Sequence, residues 1–172
     1  MGRSSRPAAA DERARPGAWG RGDAVLFALA PAALALIAAQ FALAGFGAFT
    51  MDKTPTDNVY GPHVVVGLAV AVLTLLILAA VLASRTARAH SRTLWAAVTL
   101  AVLAVPVQSV LGEAGKTIPA AGALHGLNGV IIFALAAWLT VTTSRRRAAS
   151  QPTWAPAPLR GGRDSASRAD RR

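Results

Sequence analysis

The sequence predicts an all-α integral membrane protein, a four-helix bundle built from two tandem helix pairs with both termini on the inner side. Three observations carry this expectation. The 172-residue chain is 53% hydrophobic and only 15% charged, whereas soluble domains carry about 25% charged residues. Its apolar residues fall into four long runs. Its arginines collect at one end of those runs, alternating with loops that hold few charges.

The helical spans are expected at about 24–49, 63–83, 94–112 and 122–142. Each run is long enough to cross a hydrocarbon layer as a helix, which takes about 17–25 residues. A run this continuous reads as a helix rather than a barrel strand, because a span must satisfy its own backbone hydrogen bonds. The first run, 26 residues long and preceded by 23 others, is unlike a signal peptide, whose apolar region has about 7–15 residues. It is therefore read as a retained span. Pro31 and Pro106 lie inside the first and third spans and are expected to kink them. The flanking segments 1–23 and 143–172 are rich in Ser, Pro, Gly, Ala and Arg. They hold too few apolar residues for a core and are expected to be disordered basic cytoplasmic tails.

The net charge of +10 raises nucleic acid as a partner, but its placement argues against that. Arg13, Arg15 and Arg21 precede the first span, Arg85, Arg88 and Arg92 separate the second from the third, and Arg145, Arg146 and Arg147 follow the fourth. The other two loops hold one lysine each, Lys53 and Lys116. Basic residues beside short loops mark the cytoplasmic side, so the arginines read as topology signals and contacts to anionic lipid. His90, in the arginine-rich loop, reads as a solvated residue. The chain has no cysteine, which excludes disulfides, thiolate metal sites, iron–sulfur clusters and covalently attached c-type haem.

The two helix pairs share an order of features. Gln40 and Gly45 precede an outer loop and then Pro62-His63-x-x-x-Gly67; Gln108 and Gly112 precede a loop with Pro119 and then His125-x-x-x-Gly129. Each pair runs out and back, so the halves would be related by a pseudo-two-fold axis along the membrane normal. That symmetry places His63 and His125 at similar depth, early in inward-running helices. Gly67 and Gly129, one turn deeper on the same face, would admit a neighbouring helix or a flat ligand.

Polar side chains in spans tend to face the interior of a bundle. Gln40 and Gln108 would line the region between the histidines. Asn128, three residues after His125, would orient a ring or a propionate, or bond to another helix. The acidic residues of the outer loops, Asp52, Asp57 and Glu113, show no acid–base spacing and read as solvated. Two neutral imidazoles with almost no carboxylate suit neither zinc nor a di-metal centre. They are a complete axial set for haem, whose porphyrin supplies the other four ligands and suits an apolar bundle.

Two likenesses rest on these residues. The stretches "QFALAGFGAF", "GPHVVVGLAVAVLTLLILAAVLA" and "VPVQSVLGEAGKTIPAAGALHGLNGVIIFALAAWL" resemble a family of four-helix membrane proteins of actinobacteria that has no established activity. More distantly, Gln108, Gly112, Pro119 and Leu124-His125-x-x-Asn128 are similar to one four-helix half of haem A synthase. That resemblance implies that His63 and His125 are the two axial ligands of a haem. It departs at the catalytic glutamate of that enzyme, since Asn58-Val59-Tyr60-Gly61-Pro62 precede His63 and Val64 replaces an arginine. The enzyme's oxygenase-like chemistry is therefore not expected.

The resulting expectation is a multi-pass protein of the bacterial plasma membrane that binds one b-type haem near the external face. His63 and His125 would be the metal ligands, with Gly67, Gly129, Gln40, Gln108 and Asn128 around it, for electron transfer or redox sensing, and enzymatic activity stays open. A membrane redox partner or a quinone fits that reading. The alternative is a cofactor-free membrane partner or assembly protein. The oligomeric state stays open.

Overall fold

The computed structural model describes residues 20–50 and 60–151. Most of the loop 50–62 and the outer parts of both tails, with Arg13, Arg15, Asp52, Lys53 and Asp57, lie outside the described residues. Helix α1 spans Arg21–Thr50, α2 Gly61–Ala83, the short α3 Arg85–Ala89, and α4 Ser91–Val102. A π-helical turn at Leu103–Val107 joins α4 to α5 at Gln108–Ala114, and α6 spans Pro119–Ser150. Four helical segments are long and apolar enough to cross a membrane: α1, α2, the composite Ser91–Ala114, and α6. This is the make-up of a multi-pass membrane protein in contact with a lipid bilayer.

The helices form a four-membered ring. Helix α1 packs against α2 and α6, and α4 packs against the same two, which places α2 and α6 across the ring from each other. Each contributes one inward stripe at helical spacing: Leu26, Ala30, Ala33 and Ile37 on α1; Val70, Thr74, Ile77 and Val81 on α2; Ala97, Leu100 and Ala104 along the third; Ile132, Ala136 and Leu139 on α6. The many alanines permit close approach of backbones, which is what drives packing where lipid is as apolar as leucine. Thr74 and Thr143 donate their hydroxyls to Ala71 O and Leu139 O of their own helices, at 2.8 and 2.9 Å. Their polarity thus adds nothing unpaired to the core. Large apolar side chains such as Leu68, Leu75, Trp95 and Val110 face outward, as lipid-facing residues do.

Prolines open two of the helices. Pro62 stands in the first turn of α2 and Pro119 begins α6, positions where a missing N–H costs nothing. Pro106 lies in the π-turn and Pro31 inside α1. At Pro106 the absent N–H would orphan a carbonyl one turn back, and the wider turn hands such carbonyls to donors one residue further on. Gln108 N–H accordingly bonds to Leu103 O. The spans begin or end up to three residues from the expected bounds, apart from two larger differences. Helix α6 runs through Arg145–Arg147 to Ser150, so residues 143–150, expected to be disordered tail, extend the fourth span as helix. The arginine-rich link between α2 and α4 also contains a helical turn, α3.

Asp23 and Ser84 organise the arginine end. Asp23 accepts from Gly20 N–H at 3.0 Å, the reach-back of a capping box, and from Ser84 Oγ at 2.8 Å. Ser84 in turn caps α3 by accepting from Ala87 N–H at 3.0 Å. Gly22 makes this possible, since a Cβ there would stand 3.0 Å from Ser84 Cβ. Arg146 turns inward and donates to the buried Thr93 at 2.7 Å.

Candidate functional site

The opposite end of the ring holds His63 and His125. Because α2 and α6 are diagonal partners, both imidazoles point across the bundle, and their ring centroids are 6.2 Å apart with planes at 56°. His63 Nδ1 lies 3.2 Å from Gln40 O, and His125 Nδ1 lies 3.2 Å from Gln108 O. A carbonyl oxygen only accepts, so each Nδ1 carries the proton and each neutral ring keeps its lone pair on Nε2. Anchoring one ring nitrogen on a backbone carbonyl is also how metal-ligating histidines are oriented.

The two halves differ in their glutamines. The Gln108 amide donates to His125 Nε2 at 3.2 Å and to His125 O at 3.3 Å. Its Oε1 accepts from Asn128 Nδ2 at 2.6 Å, and Asn128 also donates to Leu103 O at 3.0 Å. This closed network joins α5, the π-turn and α6. Gln40 has no such partner: its Oε1 is buried and unpaired. The residue standing where Asn128 stands in the other half is Val66, which offers no donor.

The glycines act as notches for specific side chains. A Cβ at Gly67 would lie 2.6 Å from Gln40 Nε2, and one at Gly112 would lie 3.1 Å from His125 Cε1. Gly129 receives Phe41 at 3.4 Å, and Phe41 meets Phe133 edge-on at 6.1 Å. The expected space below the rings is therefore filled, by the Gln40 amide in one half and Phe41 in the other. Gly45, placed opposite Gly112 in the sequence comparison, has nothing within 4 Å, whereas Gly47 seats the Tyr60 ring with a Cβ position 2.5 Å from Cε1. Tyr60 in turn approaches His63 edge-on at 6.5 Å.

All of the expected site residues thus gather at one end: His63, His125, Gln40, Gln108 and Asn128 around the axis, with Gly67 and Gly129 behind. Phe41, Tyr60 and Gly47 belong to the same region and were not singled out by sequence. Phe41 in an apolar run gives no signal of its own, Tyr60 stands in the loop before α2, and Gly47 is one of several small residues near Phe41. Among the described residues no group of three or more His, Asp or Glu side chains forms a metal-binding cluster. A metal held by His63 and His125 would have to bring its remaining ligands with it.

Comparison with family models, curated proteins and solved structures finds no match to this chain.

Proposed function

We propose that the protein binds one b-type haem between His63 and His125, near the external face of a bacterial plasma membrane, and serves electron transfer or redox sensing. The observation that carries this reading is the matched anchoring of the two rings. Both donate Nδ1–H to the carbonyl of a glutamine on the preceding helix, so both direct an Nε2 lone pair elsewhere. The two rings face each other across the bundle with centroids 6.2 Å apart, so His63 and His125 would be the residues to hold the group. The matching Gln–His contacts also support two tandem helix pairs, and the clustered arginines support an arrangement with the termini and the arginine end inside.

His63 and His125 would hold the haem, and the chemistry it would supply there is one-electron exchange. The chain's own residues would hold the ring tautomers through Gln40 O and Gln108 O. The Gln108 amide, now on His125 Nε2, would have to turn aside. A quinone or a membrane protein would be the redox partner. The glutamate of haem A synthase has no counterpart beside His63, and its oxidation chemistry is not part of the proposal.

The full chain, purified in mild detergent from a haem-replete membrane, is expected to show Soret and α bands in reduced-minus-oxidised spectra. His63→Ala and His125→Ala, with helix content retained by circular dichroism, should each weaken or abolish them. A protein with no Soret band overturns the haem. Bands indifferent to both substitutions overturn these ligands.

A second reading is favoured by the closed Gln108–Asn128–His125 network, which already satisfies its own polar groups. On that reading the site is a helix-to-helix lock and the protein is a cofactor-free membrane partner or assembly protein. It predicts an optically silent protein that co-purifies with a defined membrane complex.

A further inference from the structure

The three consecutive arginines after the fourth apolar run are alike in sequence, but the helix sends them in different directions. Steps of about 100° per residue turn Arg146 inward to Thr93. Arg147 is carried over α1, where its guanidinium carbon lies 4.3 Å from the centroid of the Phe27 ring. Arg145 remains exposed. Beside Arg147 is a cavity of about 290 Å³ lined by Ala24, Phe27, Arg147, Ser150 and Gln151.

Its walls differ in character. Ala24 and Phe27 belong to the start of the apolar run of α1, whereas Arg147, Ser150 and Gln151 come from the polar last turns of α6 and its C-cap. The cavity therefore straddles the boundary between apolar and polar surface. Its volume is at the low end for ligand sites, about 300 Å³, enough for a headgroup rather than a whole lipid. Charge complementarity selects the occupant. The only ion pair found among the described residues is Lys116–Glu113, at the other end. The one described carboxylate at the arginine end, Asp23, is buried and taken up by Gly20 N–H and Ser84 Oγ. Among the described residues, then, no carboxylate pairs with Arg147 at the cavity.

From this we propose that the cleft between the start of α1 and the end of α6 is a specific site for the phosphate of an anionic phospholipid. Arg147 contacts the phosphate, with Ser150, whose hydroxyl donates to Arg147 O at 2.8 Å, lining the polar side, while Phe27 and Ala24 meet the glycerol and upper acyl region. Stacking on Phe27 holds the guanidinium at that depth and leaves its edge N–H groups for the phosphate oxygens. This site is independent of the haem reading.

The test is native mass spectrometry of the full chain in mild detergent, titrated with phosphatidylglycerol, with phosphatidylcholine, or with inorganic phosphate. One phosphatidylglycerol is expected to be retained in preference to phosphatidylcholine. Arg147→Ala should weaken its retention about fivefold, the effect of about 1 kcal/mol for one arginine near an anionic surface, and Arg147→Lys should weaken it less. Arg145→Ala, on the same helix and outside the cavity, should weaken retention clearly less than Arg147→Ala. Equal losses for Arg145→Ala and Arg147→Ala would mean a diffuse basic surface and overturn the site. Displacement of the lipid by inorganic phosphate would mean a soluble-anion site and overturn it too, as would a lack of preference over phosphatidylcholine.

Discussion

Gln40 and Gln108 are the same residue type at matched places, yet one amide is saturated and the other has an orphaned oxygen. The difference is traceable to Asn128 opposite Val66. Asn128→Ala is expected to release the Gln108 amide, since it removes the 2.6 Å bond to Oε1 and the 3.0 Å bond to Leu103 O. Interhelical hydrogen bonds in membranes contribute about 0.6–2 kcal/mol, so a loss of about 1 kcal/mol should appear in reversible unfolding from detergent. The notches give a sharper contrast. Gly112→Ala places a Cβ 3.1 Å from the His125 ring, while Gly45→Ala meets nothing within 4 Å. The first should alter the His125 ring signals in NMR of histidine-labelled protein. The second should leave both rings unchanged and stabilise α1 by up to about 1 kcal/mol through helix propensity. The histidines and glutamines were legible in the sequence because polar side chains stand out in apolar runs. Their partners were not, because the rotation of each helix decides whether Gly45 or Gly47 meets a neighbour.

At the scale of elements, the π-turn at Leu103–Val107 shows what a proline does inside a span. Sequence reading anticipates a disturbance at Pro106; it does not reveal which way the register turns beyond it. One extra residue in the turn rotates all of α5 by about 100° relative to an uninterrupted helix. Gln108 and Gly112, which meet His125, lie on that rotated part. Pro106→Ala restores the missing N–H and permits an ordinary helix through this point. The expected result is a changed His125 environment with His63 unaffected, read from the same histidine-labelled NMR spectra. Unchanged signals from both rings would mean that packing against α6, rather than proline, holds the π-turn. The extension of α6 to Ser150 was hidden for another reason. Three arginines resemble a tail by composition, but Arg146 to Thr93 and Arg147 over Phe27 tie that last turn to neighbouring helices.

For the molecule as a whole, four spans could be read directly because each is apolar along its length. That same feature hid the inward faces: Leu26 and Val25 are equally apolar, yet the first is 1% exposed and the second 48%. Between the two ends lies a core of alanines, aliphatic residues and self-satisfied threonines, so interhelical polar contacts concentrate at the ends. Asp23, at the very edge of the expected tail, is the piece that sequence reading passed over, because its partner Ser84 is 61 positions away. Asp23→Ala would leave Ser84 Oγ and Gly20 N–H without their acceptor in a mostly buried setting, a loss of about 1–3 kcal/mol. Ser84→Ala should have a comparable effect, and the double substitution should cost clearly less than the sum, because both remove one shared bond. Residues 23 and 40 are separated by about 25 Å of helix, beyond the range over which substitutions usually couple. Unfolding of the Asp23→Ala protein should therefore shift while the His63 and His125 signals stay in place. Additive losses at Asp23 and Ser84 would break the clasp as a unit, and movement of the histidine signals would instead mean that the ring of helices responds as one rigid body from end to end.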